Sequence, residues 1–260
     1  VGDSTRISWA NRTLNFWIGC RVVSEECDKC YAKVLIERTR GKGSFDTITR
    51  TKTWNDPKRW QREAASANRC DLVFTCSLSD FFIQQADAWR PEAWQIIHDT
   101  PNLIYQILTK RPQLIEKRLP ADWGSGYPNV WLGTSVGLKK HLKRMDVLRN
   151  IPAAVRFASL EPLLEDICPE LEEHVDGFHQ LIVGGESGNN SHNFRPMEHD
   201  WARKILTICR ARDMAFFFKQ SAAVRTEMGT ELDGKTYHEY PKQYATYCKQ
   251  MKNKNLFTGA

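Results

Sequence analysis

The chain has 260 residues, 41% hydrophobic and 26% charged, with 37 Lys and Arg against 31 Asp and Glu and a formal charge of +6. This is globular composition, without an apolar run near the roughly 18 residues of a membrane span or a signal-peptide pattern at the polar N-terminus, so a cytoplasmic protein without membrane association is expected. Eight cysteines in such a chain argue for a reducing compartment and against a disulfide scaffold, and the basic excess leans toward nucleic acid or nucleotide partners.

Short apolar runs punctuate the chain at residues 15–19, 72–76, 103–108, 130–133, 155–158, 181–184 and 215–218. Several lack period-2 alternation, as expected of parallel strands covered on both faces. Helix signals fill most of the gaps. Asn55-Asp56-Pro57 caps a segment at 58–67. Arg90-Pro91 opens one carrying Trp94, Ile97 and His98, and Arg111-Pro112 opens 113–118. Residues 138–149 set Leu142, Met145 and Leu148 on one face, and 196–210 set Trp201, Ile205 and Ile208 in phase. Strand–helix alternation of this length predicts an α/β chain folded as a partial or irregular (β/α) TIM-like barrel over residues 1–220. Residues 221–260 read as an irregular cap on the same domain.

Three cysteines, Cys20, Cys27 and Cys30, fall in one short stretch, the last two spaced as C-x-x-C. Soft thiolates select zinc, copper(I) or an iron–sulfur cluster. A closed zinc site needs four ligands, and no second C-x-x-C or C…H pair follows nearby. Three local thiolates suit a [4Fe–4S] cluster with one iron left open for a small molecule. A redox pair of Cys27 and Cys30, or simple packing of buried thiols, remains an alternative.

Barrel enzymes carry their function at the C-terminal strand ends. Here those ends offer the cysteine loop, then Cys76, Ser77, Ser79 and Asp80, then Thr109, Lys110 and Arg111. Later ends offer Thr134 and Ser135, Ser159 and Glu161, then Glu186, Ser187 and Asn189, and finally Lys219 and Gln220. A barrel-top active site is expected. Surface-prone aromatics such as Trp54, Trp60, Trp89 and Trp123 are candidates for stacking on bases.

The Cys20-x6-Cys27-x2-Cys30 loop followed by Tyr31-Ala32 resembles the cluster loop of radical S-adenosylmethionine (SAM) enzymes. The chain as a whole resembles the phage Gp37/Gp68-like, or three-Cys-motif, family. The landmarks are Ile7-Ser8-Trp9, Ser79-Asp80-Phe81-Phe82, Leu108-Thr109-Lys110-Arg111-Pro112, Asn129-Val130-Trp131-Leu132-Gly133, Ser159-Leu160-Glu161-Pro162, Gly184-Gly185-Glu186-Ser187-Gly188, Arg195-Pro196-Met197, Phe218-Lys219-Gln220 and Leu232-Asp233-Gly234. The first cysteine gap is six rather than the common three, and the family's Trp-Asn-Pro reads Leu14-Asn15-Phe16.

The resemblance implies a radical SAM barrel in which Cys20, Cys27 and Cys30 hold a [4Fe–4S] cluster. It implies SAM beside Ser77, Lys110, Arg111, Ser135, Ser159 and Glu161, and a flavodoxin- or ferredoxin-type electron donor. Glu186, Arg195, Lys219 and Gln220 are the expected substrate contacts, with Glu186, Lys219 and Cys76 as catalytic candidates. The implied activity is of isomerase or lyase type, modifying or rearranging a nucleobase substituent such as an aminoacyl-thymidine side chain in phage DNA. The alternatives are a DNA-lesion lyase resembling spore photoproduct lyase, with Cys76 donating hydrogen, and a zinc-stabilised nucleic-acid-binding module with His174, His179 or His192 as fourth ligand.

Overall fold

The computed structural model describes residue 5, residues 7–188 and residues 192–258, the side chains of 254–258 excepted. Seven strands form one all-parallel sheet: β1 (Arg12–Leu14), β4 (Asp71–Thr75), β5 (Leu103–Thr109), β6 (Val130–Ser135), β7 (Val155–Leu160), β8 (Gln180–Gly184) and β9 (Ala215–Gln220), in that spatial order. Strands β2 (Trp17–Ile18) and β3 (Thr49–Arg50) make a separate antiparallel pair. Helices α1 (Tyr31–Arg40), α2 (Asp56–Ser66), α3 (Arg90–His98), α4 (Lys143–Arg149), α5 (Cys168–Leu171) and α6 (His199–Ala211) lie between the strands, and α7 (Lys242–Thr258) follows them. The result is the expected partial (β/α) barrel.

Both faces of the sheet are covered, which is why its strands read as nearly continuous apolar runs. Val73, Leu103, Tyr105, Ile107, Leu132, Leu160, Val183 and Phe218 face the helices in one core cluster. Leu72, Phe74, Ile104, Trp131, Val155, Phe157, Ile182 and Phe217 fill the concave side in another. Gly133 is required there, since a Cβ would lie 2.3 Å from the Phe157 ring. The tail at 221–260 is less irregular than expected. Helix α7 sets Tyr244, Tyr247 and Met251 against the inner cluster, and Tyr247 donates to the Pro101 carbonyl just ahead of β5, at 2.8 Å.

Two of the expected elements take another form. The first barrel strand is Arg12–Leu14, while the apolar run at 15–19 leaves the barrel as β2. Residues 113–118 form two short 3₁₀ turns instead of a helix.

Edge strand β1 is held by charge. Arg12 meets Asp71 at 2.8 Å and Glu63 at 2.9 Å, and Arg69 meets Asp71 at 2.7 Å. Burial alone would raise the Asp71 carboxyl, but hydrogen bonds from Arg69 and Arg12 outweigh it and hold it below the usual range. A depressed carboxylate contributes stability above its unfolded value of about 3.9, and that contribution is lost as pH falls through the folded value. Urea midpoints are therefore expected to fall below about pH 4. In Asp71→Asn the midpoint should be lower at pH 7 and the acid-dependent fall shallower. An unchanged acid profile would remove Asp71 from the account.

Candidate functional site

The C-terminal strand ends open into one cavity of about 940 Å³. Its wall includes Cys20, Cys27 and Cys30, then Cys76 and Ser77, Lys110 and Arg111, Ser135, Ser159 and Glu161, and Glu186 and Lys219. Strand periodicity explains part of this. Ser135 and Ser159 are register partners on adjacent strands, so their side chains share the concave face. Both hydroxyls lack a partner among the described residues and face the cavity.

The cysteine loop leaves β2 through Cys20, whose amide donates to the Phe45 carbonyl at 2.8 Å. It makes a 3₁₀ turn at Glu25–Cys27 and enters α1 with Cys30 at the N-cap. Three ion-pair systems pin it to different strand ends. Buried Asp80, after β4, accepts from the Phe82 amide at 2.9 Å, from Thr109 Oγ1 at 2.8 Å, from the Lys110 amide at 3.1 Å and from Arg111 Nη1 at 2.9 Å. Arg111 so held reaches the Arg21 carbonyl at 2.7 Å and Cys20 Sγ at 3.8 Å.

Glu26, buried within the loop, accepts from the Gly137 amide, Ser24 Oγ and Arg144, each at 2.6 Å. Burial would raise its carboxyl, yet the Lys110 and Arg144 cations hold it below the usual range. Gly137 itself is a close-approach position: a Cβ there would sit 1.9 Å from the Pro162 carbonyl oxygen. On the third side Glu186 accepts from the Arg195 amide at 2.8 Å and pairs with its guanidinium. Arg195 also donates to the Glu25 carbonyl at 3.0 Å, and Lys29 stands 3.8 Å from Glu186.

Can these thiols hold a cluster? Among the described residues no group of three or more His, Cys, Asp or Glu is arranged around a single metal ion. A cluster requires a different arrangement, one iron for each thiolate, so its ligands need not converge on one point. The three cysteines are all half-buried and line the same cavity, and this donor set fits. Burial, reinforced by Asp80, pushes the Cys20 thiol up to about 11 against the pull of Arg111. A metal would draw off that proton, because coordinated thiols are deprotonated.

The family described as "Protein of unknown function (DUF5131)" matches residues 4–241. The chain belongs to that family. No curated protein sequence matches it. Among solved structures it is similar to spore photoproduct lyase, both as a double mutant with bound AdoMet and dinucleoside spore photoproduct and as the complex with dinucleoside spore photoproduct. Each likeness has a TM-score of 0.50 at 13% identity, covering 98% of this chain and 76% of the other. At that identity the likeness concerns the fold, a partial barrel of the type found in that lyase.

Within this DUF5131 chain the expected site residues are placed unequally. Lys219 Nζ donates to Glu161 Oε1 at 2.5 Å, so these two neutralise each other at the cavity wall. Gly184 makes room for the pair, a Cβ there falling 3.3 Å from the Glu161 side chain. Ser77 accepts from Asn15 Nδ2 at 3.0 Å, and its carbonyl accepts from the Tyr31 hydroxyl at 2.7 Å. Cys76 is a buried member of that wall, its thiol pushed up to about 12 by burial.

Arg195 and Gln220 do not line the cavity. Gln220 is fully buried and spends its amide on backbone and loop, donating to the Gly185 carbonyl at 2.9 Å and accepting from Thr226 Oγ1 and the Glu227 amide at 2.8 Å. Asn189 lies outside the described residues. Trp54, Trp60 and Trp123 are buried and Trp89 half-buried, which removes the first three as a surface for stacking. His174 meets Asp146 at 2.9 Å and His179 accepts from the Arg156 amide at 3.1 Å. Neither these nor His192 is a cavity residue.

Sequence reasoning did not find Glu26, Arg144 or the loop-binding use of Arg195. Glu26 adjoins a cysteine in a polar loop, and two of its three partners, Gly137 and Arg144, are remote in sequence, so no local pattern marks it.

Proposed function

We propose that this protein is a radical SAM enzyme acting on a nucleobase. The carrying observation is that three cysteines of one pinned loop share a cavity with unpartnered Ser135 and Ser159 at the C-terminal end of a parallel half-barrel. Cys20, Cys27 and Cys30 would hold the [4Fe–4S] cluster, and Ser135, Ser159 and Lys110 would hold SAM. When bound, the cluster and SAM together supply one-electron reductive cleavage of a carbon–sulfur bond, with a flavodoxin- or ferredoxin-type protein as electron source. The chain's own part is orientation and exclusion of water.

Lys110 has no ion-pair partner at hydrogen-bond distance among the described residues and suits the SAM carboxylate. Arg111 is committed to Asp80 and to the loop, so its work is positioning. The Lys219–Glu161 pair lines the same cavity, and its proposed part is to exchange this internal partner for a polar substituent of the substrate. Glu186 is committed to Arg195 and Lys29, so its proposed part is to hold the loop at the cavity edge.

The substrate reading is a thymine-derived base. It is supported by the basic charge and the resemblance to the phage three-Cys-motif family. The neighbour in fold, spore photoproduct lyase, binds AdoMet and a dinucleoside lesion, which supports the same ligand classes here. Rearrangement of an aminoacyl-thymidine side chain is the proposed reaction. Lesion reversal is the second reading, favoured by Cys76, whose buried neutral thiol can give up a hydrogen atom.

Calorimetry on the anaerobically reconstituted protein tests the SAM site. Ser135→Ala and Lys110→Met should each weaken SAM binding by about 1–3 kcal/mol, and unchanged affinity in both would move the pocket. Incubation with SAM, reductant and either modified phage DNA or ultraviolet-damaged DNA, followed by nucleoside mass analysis, separates the two reactions. Formation of 5′-deoxyadenosine with no altered nucleoside would reject the nucleobase assignment.

A further inference from the structure

The cavity mouth has a composition of its own. Among the described residues six large hydrophobic side chains are exposed, and five of them, Val22, Val23, Tyr31, Val34 and Met228, ring this mouth. Such surface is uncommon on a folded chain unless something covers it. Three exposed arginines, Arg21, Arg38 and Arg225, stand among them, and none has a charge or hydrogen-bond partner for its guanidinium among the described residues. The carboxylates around the cavity are already engaged. Asp80 is bound to Arg111, Glu161 to Lys219, Glu186 to Arg195 and Glu26 to Arg144, while Glu227 accepts from the Ser8 amide at 3.3 Å. Glu227 alone keeps its charge, so against three free guanidinium groups the rim carries a net positive charge on an apolar collar.

We propose that this rim binds the phosphodiester backbone of a single nucleic-acid strand and delivers one base to the cavity, so that the substrate is a strand and not a free nucleoside or nucleotide. The inference rests on the nucleobase reading above and deepens it. Unpaired guanidinium groups suit phosphate, which they meet with planar, bidentate geometry. Apolar and aromatic side chains between them suit base faces, which stack without regard to sequence. Tyr31 is held ready to stack, because its hydroxyl is anchored to the Ser77 carbonyl at 2.7 Å while its ring is exposed. A paired duplex hides its base faces, so an unpaired or extruded base is required.

The proposal is tested by fluorescence anisotropy with a fluorescein-labelled oligothymidylate on cluster-loaded protein without SAM. Each neutralised phosphate of a single strand contributes about −0.7 to the slope of log affinity against log salt. Arg21→Ala/Arg38→Ala/Arg225→Ala should therefore flatten that slope by roughly 2. The charge-matched control Lys58→Ala/Arg62→Ala/Lys117→Ala removes exposed cations elsewhere and should leave the slope within error. Tyr31→Ala should lower affinity by about five- to tenfold with little change of slope, as for a lost stacking contact. Thymidine monophosphate and polyglutamate should compete poorly. An equal slope change in the two triple variants, or polyglutamate competing as well as the oligonucleotide, would overturn the proposal. Because SAM is absent from the assay, its failure leaves the radical SAM reading intact. Conversely, loss of SAM cleavage with strand binding retained would reject that reading alone.

Discussion

Replacing Cys20, Cys27 or Cys30 by Ala is expected to abolish incorporation of iron and sulfide, while Cys168→Ala and Cys209→Ala leave it intact. All five thiols are free, but they stand in different surroundings. The first three line the cavity from one loop, whereas Cys168 and Cys209 are packed in the helix-side core. A three-thiolate site has no spare ligand, so losing one should cost the cluster outright and not merely weaken it. Iron and sulfide analysis after anaerobic reconstitution reads the result. Full iron content in Cys27→Ala would end the assignment. Stoichiometric zinc with no iron in the unmutated protein would do the same.

Much of the barrel was legible because burial on both faces leaves a mark in sequence. Six of the apolar runs are strands of the barrel sheet, with small changes of boundary. The first did not, and the reason is physical. The barrel strand Arg12–Leu14 begins with a buried arginine made tolerable by Asp71 and Glu63, so it does not read as apolar. The run at 15–19 is apolar because Phe16 and Trp17 pack into an aromatic group with Trp54 and Phe81, not because it lies in the sheet. Helix α1 escaped notice for a related reason. It begins directly after the last cysteine and buries only Ala32 and Ile36, too few to set a period.

The site shows the same division. Strand-end polarity was enough to find the cavity wall, since chain position alone brings those residues to one end of a barrel. It could not tell which charges face a ligand and which face each other. By position Lys219 and Glu161 both suit contacts to bound molecules, yet they meet across the space beside Gly184. Glu186 and Arg195 likewise engage one another, and Arg195 continues to the Glu25 carbonyl. Pairing between side chains far apart in sequence is decided by the fold, and a single sequence carries no trace of it.

That pairing gives the second large expectation. Asp80→Ala should destabilise the protein by about 3–5 kcal/mol, because it strands buried Arg111 without its counterion. For a chain of this size, that is a fall in Tm on the order of 10 °C. The loss extends beyond one pair, since the Thr109 hydroxyl and the Phe82 and Lys110 amides also converge on this carboxylate. Asp80→Asn/Arg111→Met removes both charges together and should recover a large part of the stability, as buried ion pairs replaced by neutral groups commonly do. It should not recover cluster occupancy, because the bond from Arg111 to the Arg21 carbonyl, which holds the loop beside Cys20, is gone. Thermal unfolding and iron content measured on the same samples separate the two effects. If the double variant regains stability and iron together, Arg111 serves only to neutralise Asp80, and the loop is positioned by Glu26 and Arg195 alone.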